Sequence, residues 1–315
     1  MREHEVMVHP SSSRLPRESQ LAWRLAEVAA DPVPVEPEVA AVVVDRVIDA
    51  VAVAAAALGG APASAARGQA LPHRLAPGAT VLGAGRRHRV SPEWAAWANG
   101  VAVRDLDLND TFLAADYAHP SDAIAPILAV AQHGGLGCAD LVRGIVAAHE
   151  VHVALASGIC LHGHRIDHVA HLGPAAAAGI GAALGLEAEV IRQAVQQALH
   201  VTTQTRQSRK GEISSWKACA PAFAGKAAVE AVDRAMRGER SPSPIYEGED
   251  GVIAWLLGGP DAVHRVPLPA PASPAARSSP PSPGSTRPST TPRRSSTWPG
   301  GWRPGSATSG ASRRS

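Results

Sequence analysis

Aromatic residues are scarce. They make up 3% of the 315 residues, with two Tyr, two Phe and seven Trp, although 45% of the chain is hydrophobic. Alanine and small aliphatics must therefore fill the core, which suits closely packed helices and speaks against a sandwich of aromatic and β-branched strands. Cysteine is scarce too. Cys138, Cys160 and Cys219 are too scattered for a disulfide framework or a CxxC metal site. They read as small buried residues in a reduced compartment, which predicts a cytoplasmic protein. The N-terminal stretch Met1 to Pro10 has no apolar segment of the secretory type. No uninterrupted apolar run reaches the roughly 18 residues of a membrane span. The nearest, Val39 to Leu58, is broken by Asp45, Arg46 and Asp49 and reads as a buried soluble helix.

Acidic residues and lysine are absent from one whole region. Residues 267–315 hold seven Arg and no Lys, Asp or Glu. Without them the remaining 266 residues carry 23 basic and 28 acidic groups, a formal charge of −5 against +2 for the chain. The globular part is acidic, so no nucleic-acid partner is expected: a binding core would carry its own basic face. The same 49 residues hold 11 Pro and 12 Ser, with Leu268 as the only large aliphatic. Such a segment buries too little apolar surface to offset chain ordering and is expected to be disordered. Its Arg/Pro/Ser/Gly/Thr composition is also what a GC-rich gene gives when read out of frame. Thr297 to Pro304, back-translated and shifted by one base, permits a helical Asp-Leu-Ala-Arg-Arg-Leu-Ala-like pattern. The tail is therefore expected to be frameshifted sequence.

What is there is a succession of helices between glycine stops and acidic or proline starts. Residues 1–16 read as a disordered leader. Helices are expected over Glu18 to Ala30, Glu36 to Leu58, and from Ser91-Pro92-Glu93 through Val101. Further helices run from Ser121-Asp122 to Gly134, Ala139 to Ala156, after Gly173-Pro174 to Gly185, Glu187 to His200, and Ala218 to Met236. Residues 61–90 show little periodicity, with one short extended piece at Ala79 to Leu82. The fold class is all-α for 17–266.

Three clusters carry candidate chemistry. The first is Asn99-Gly100, then Asp105 to Thr111, then His119-Pro120-Ser121-Asp122, a polar interruption between apolar helices. Carboxylates beside a histidine shift each other's pKa and suit acid/base work, and Ser121 at a helix start offers backbone N–H groups to a carboxylate. The plain alternative is a solvated loop with capping residues. The second is His162, His164, His168 and His171. Its spacing matches no zinc template, and His149 and His152 are three apart rather than the four that HExxH requires. No metal site is expected. The third is Arg206, Arg209, Lys210 and Lys217, whose charges suit a polyanionic small molecule or simply a solvated loop. The glycines of Gly134 to Gly137 and of Gly179 to Gly181 follow no expected strand, so they read as close helix packing rather than phosphate loops.

Together these stretches resemble the MmgE/PrpD family. The resemblance is carried by Asn99-Gly100 with Asp107 to Thr111, by His119 to Asp122, by Ala148 to Val151, by Ile166 to Val169, and by Gly211 to Lys217. It covers most of 17–266. It implies a large helical domain whose smaller α/β lid domain is missing here, the chain departing from the family pattern near Pro267. It implies a lyase acting on a small polycarboxylate without metal or organic cofactor. The most specific reading is dehydration of 2-methylcitrate to 2-methyl-cis-aconitate in propionate catabolism, and decarboxylation or epimerisation are the related alternatives. His119, His168, Asp107 and Asp110 are the implied acid/base and orienting groups. Thr111, Ser121, Arg206, Arg209, Lys210 and Lys217 are the candidate substrate contacts. The lysine that relatives place just before the segment matching Trp216 has no counterpart here, leaving Lys210 or Lys217 to substitute. Relatives commonly form homodimers. Without the lid this chain is expected to have little or no activity and to expose apolar surface. A reading of another class is a non-catalytic helical module that binds an anionic metabolite or a partner.

Overall fold

The computed structural model describes residues 2–85 and 87–269. The expectations for the tail beyond residue 269 lie outside the described residues. Among the described residues ten α-helices dominate: α1 (Leu21–Ala30), α2 (Pro37–Ala57), α3 (Ala61–Ala70), α4 (Pro92–Asp105), α5 (Ile124–Gly134), α6 (Cys138–Gly158), α7 (Val169–Leu184), α8 (Ala188–Thr202), α9 (Trp216–Met236) and α10 (Val252–Leu256). Strands form three two-stranded antiparallel ladders: β1 (Arg2–Met7) with β6 (Val263–Leu268), β2 (Arg74–Thr80) with β3 (Arg89–Val90), and β4 (Phe112–Leu113) with β5 (Tyr117–Ala118).

Helix α7 is the hub. Its residues from Val169 to Ala183 are all buried, and α6, α8 and α9 pack around it. Alanine and glycine make this possible. A Cβ on Gly144 would stand 2.7 Å from the Gly179 carbonyl, and one on Gly179 would stand 2.6 Å from the Gly144 carbonyl. The two helices thus approach backbone to backbone, which a core of larger side chains would forbid. Gly179 and Gly181 serve close helix packing, as the sequence suggests, and Gly144 joins them.

Two expectations of burial need correction, since Cys138 is exposed, Cys160 and Cys219 are half-buried, and α2 exposes Val39, Val42, Val44, Ile48 and Val51; three about the elements do too. Residues 1–16 are not all a loose leader: Arg2 to Met7 pair in register with Leu268 to Val263, and Val6 is 1% exposed. The ladder also carries the folded part past Val266, to Leu268. A strand whose partner lies at the far end of the sequence leaves no local periodic signal. Second, α3 occupies residues in the supposedly aperiodic 61–90 stretch; its buried face is only Ala63, Ala66 and Ala70. Third, α7 begins at Val169, so Pro174 lies inside it rather than before it. At the N-terminus of α1, the Leu21 N–H is capped not by a neighbour but by Glu247 Oε1 at 2.6 Å.

Candidate active site

The site is assembled where α4 ends. Arg104, in its last turn, is 3% exposed at the side chain; it donates to Asn109 Oδ1 at 2.7 Å and pairs with Asp107 Oδ1 at 3.0 Å. Asp107 can face back toward it because its backbone is left-handed, φ 56°, a conformation that Asp tolerates better than most residues. Asn109 in turn donates to Asp122 Oδ1 at 2.9 Å, and Asp110 Oδ1 accepts from Ser121 N and Oγ at 3.1 and 2.5 Å. These bonds tie the loop to the start of α5.

The β4–β5 hairpin then presents Thr111, Tyr117 and His119. Its tip is fixed by Asp116, whose carboxylate accepts from the backbone N–H groups of Tyr117, Leu161 and His162. His119 Nδ1 lies 2.7 Å from the Asp110 carbonyl, which can only accept, so Nδ1 carries the proton and Nε2 keeps its lone pair. Burial, and after it the charge of Arg104, holds the His119 pKa below its ordinary value against the opposing pull of Asp122. The neutral, lone-pair-bearing form is thereby favoured.

From the other side a bridge between Ile166 and Thr205 sets the turn at 206–209 against the residues preceding α7. Asp167, fully buried, accepts from Arg209 Nε at 2.9 Å and Ser208 Oγ at 2.7 Å, and its Oδ1 lies 3.1 Å from His168 Nδ1. Burial would raise its pKa, but His168 and Arg209 together hold it well below the carboxylate range. His168 is lowered to about 4 by burial, with Asp167 opposing. Lys217, in the first turn of α9, reaches Asp107 Oδ2 at 2.8 Å. Burial raises the Asp107 pKa less than Lys217 and Arg104 lower it, so the carboxyl is ionised.

Arg104, Asp107, Thr111, Tyr117, His119, His168, Arg209 and Lys217 together line a cavity of about 260 Å³. The structure thus brings together six of the residues singled out from sequence. It does not bring in the other four. Asp110 and Ser121 are bonded to each other, Arg206 donates to His162 Nε2 at 2.7 Å, and Lys210 is exposed. Sequence reasoning missed Arg104 and Tyr117. Arg104 sits three positions before Asp107, one helical turn. Tyr117 sits two before His119, the strand repeat that puts both on one face. The histidine-rich stretch disperses: His162 meets Arg206, His168 lines the cavity, and His171 Nε2 bonds the Ile159 carbonyl at 3.0 Å. Among the described residues no group of His, Cys, Asp or Glu is arranged to hold a metal ion.

The described residues thus form a helical domain whose cavity is lined by three cationic side chains, one carboxylate and a histidine with a free lone pair. The sequence profile of the MmgE/PrpD N-terminal domain matches residues 19–264, and the chain belongs to the MmgE/PrpD family. It is 31% identical over 205 residues to the mitochondrial 2-methylcitrate dehydratase of Yarrowia lipolytica, an alignment covering 61% of this chain and 39% of that protein. It is 30% identical over 167 residues to the 2-methylcitrate dehydratase of Escherichia coli K12, covering 49% and 32%. With the enzyme of that name from Cupriavidus necator the identity is 33% over 142 residues, covering 42% and 29%. The chain therefore spans less than two fifths of the length of these relatives.

Proposed function

We propose that the cavity binds a small polycarboxylate and belongs to a cofactor-independent hydro-lyase, with 2-methylcitrate as the substrate and 2-methyl-cis-aconitate as the product. The observation that carries this is His119. Its Nδ1–H is fixed on the Asp110 carbonyl, which leaves Nε2 as an unprotonated base in a cavity that also holds Arg104, Arg209 and Lys217. In the structure those cations are already engaged, Arg104 and Lys217 by Asp107 and Arg209 by Asp167. A substrate carboxylate enters by displacing Asp107, which is 43% exposed and free to swing out. Arg104 and Lys217, released by that displacement, then hold carboxylates and stabilise the enolate charge as it develops, while Arg209 stays on Asp167 and adds its charge at the cavity wall. His119 Nε2 takes the proton from the carbon beside a carboxylate. The imidazolium so formed protonates the departing hydroxyl, so that one water leaves and a C=C bond forms. Thr111 Oγ, 3.3 Å from His119 Nδ1, is placed to contact the same ligand.

The test has two parts. Citrate or 2-methylcitrate added to the chain should give a saturable calorimetric binding signal that Arg104→Gln abolishes. Turnover of 2-methylcitrate is followed by the absorbance of the unsaturated product in a form that includes the region relatives add beyond this match. There His119→Asn should lower the rate by about 10²-fold or more, and an unchanged rate would remove His119 from the chemistry.

A cytoplasmic setting and a second copy of the chain as partner are part of the same reading. No helix among the described residues is long and apolar enough to cross a membrane. Helix α2 supports the second copy. It exposes Val44, Ile48 and Val51 along one face, together with Val39 and Val42. Ile48→Glu should convert a dimer to a monomer in light scattering, and an unchanged mass would take α2 out of the interface.

A further inference from the structure

The residues lining the cavity fall into two groups by their contacts. Arg104 and Lys217 are joined through the Asp107 carboxylate, at 3.0 and 2.8 Å. Tyr117, His119 and His168 are joined through their rings. The Tyr117 and His168 ring centroids lie 4.8 Å apart, those of His119 and His168 5.2 Å, and those of Tyr117 and His119 6.0 Å. All three separations are within the range of ring-on-ring contact. The lining thus combines a charged group with a ring group.

Tyr117 is a member of the ring group that the proposed chemistry does not use. It is half-buried in β5, where its N–H donates to Asp116 Oδ1 at 2.8 Å and it pairs with Leu113 across the hairpin. A third imidazole, His162, packs on it at 6.0 Å with the rings at 72°. These contacts hold the ring where it lines the cavity, and among the lining side chains it supplies the largest apolar surface. The others end in a guanidinium, an ammonium, a carboxylate, an imidazole or, in Thr111, a hydroxyl beside one methyl group. The substrate proposed above has one apolar group, a methyl, and carries it on the carbon that gives its proton to His119. That methyl lies beside His119, whose ring neighbours in the cavity are Tyr117 and His168. Of the two, the phenol ring offers carbon, and the imidazole offers polar nitrogens.

We propose that Tyr117 is a specificity-determining residue, whose ring receives the alkyl substituent on the carbon that loses its proton. The cavity then prefers a hydroxylated polycarboxylate with a small alkyl branch to the same acid without one, 2-methylcitrate over citrate. The proposal rests on the polycarboxylate reading of the cavity given above. Arg104 and Lys217 select the ligand's charge, and Tyr117 selects its branch. A methyl seated on the ring leaves water and gains ring contact. It also adds a point of attachment beside the reacting carbon, which the carboxylate anchors do not supply.

The test uses the full chain, by calorimetry and nuclear magnetic resonance, and needs no turnover. 2-Methylcitrate should bind about fourfold more tightly than citrate, the usual worth of one methyl group removed from water. Tyr117→Phe keeps the ring and should keep that ratio, whereas Tyr117→Ser should bring it close to one. The chain has two tyrosines, and the other, Tyr246, is 1% exposed. Ring-labelled tyrosine therefore gives an assignable signal. The methyl protons of bound 2-methylcitrate should show a nuclear Overhauser effect to Tyr117 and none to Tyr246, and this measurement decides the matter if the serine variant does not fold. Equal affinity for the two acids overturns the proposal, as does a ratio unmoved in folded Tyr117→Ser or a bound methyl whose Overhauser contact is to Thr111 instead. If neither acid binds the unsubstituted chain, the polycarboxylate reading of the cavity fails, and the role of Tyr117 fails with it.

Discussion

Asp107 illustrates how much one residue settles. Its left-handed backbone turns the carboxylate toward both Arg104 and Lys217, so two cations of the cavity are neutralised by the protein's own anion. The sequence shows an Asp in a polar loop; it does not show that φ is positive or that α9 supplies the second cation, because both depend on contacts made across the fold. His119 was more legible. A histidine before Pro-Ser-Asp at a helix start, set among carboxylates, is unusual enough to draw attention by itself. Ser121 drew the same attention and is consumed in the scaffold. The histidines also make a measurable prediction. His168 and His171 are lowered to about 4, and His119, His149 and His152 are lowered as well, in each case chiefly by burial. The unfolded chain therefore binds more protons below pH 6.5 than the folded one. Their contribution is fully present above 6.5 and is lost as pH falls toward 4, with His168 alone worth on the order of 3 kcal/mol. Urea denaturation at pH 7, 5.5 and 4.5 should show a steep fall across that window, and a flat profile would mean that these rings are solvated.

Among the elements, the long periodic helices α1, α2, α6, α8 and α9 lie within a few residues of where the apolar pattern puts them. The exceptions share a cause. Helix α3 buries three alanines and has almost no amphipathic signature, and α7 is buried all round, so neither shows a face. With no face to read, the Gly173-Pro174 pair looked like a start signal. Gly173 is instead where α8 approaches: a Cβ there would meet Thr202 Oγ1 at 2.3 Å. The α6–α7 contact is the most demanding. Gly179→Ala places a methyl 2.6 Å from both the Ala148 Cβ and the Gly144 carbonyl, backbone that cannot give way cheaply. It should destabilise by about 1–3 kcal/mol, read as a lower urea midpoint with an unchanged slope. Gly59→Ala, which meets nothing within 4 Å, is the matched control.

For the molecule as a whole, the ladder between the first and last described strands was the least legible feature, since nothing near Arg2 announces a partner at Leu268. Removing residues 1–8 tests it. A loose leader could be lost without consequence, whereas here Val6 leaves the core and β6 loses its only strand partner among the described residues. The melting temperature should fall by several degrees, and β6 amides should lose protection from hydrogen exchange.

The same ladder also sets a schedule. During synthesis β1 leaves the ribosome ahead of the other described elements, yet its partner is the last of them to appear. At roughly 5–20 residues per second the strand waits some tens of seconds while the helices collapse beside it. Among the described elements this clasp is thus the last that can close, and a nascent chain stalled before Val263 carries β1 as an open edge available to chaperones or proteases.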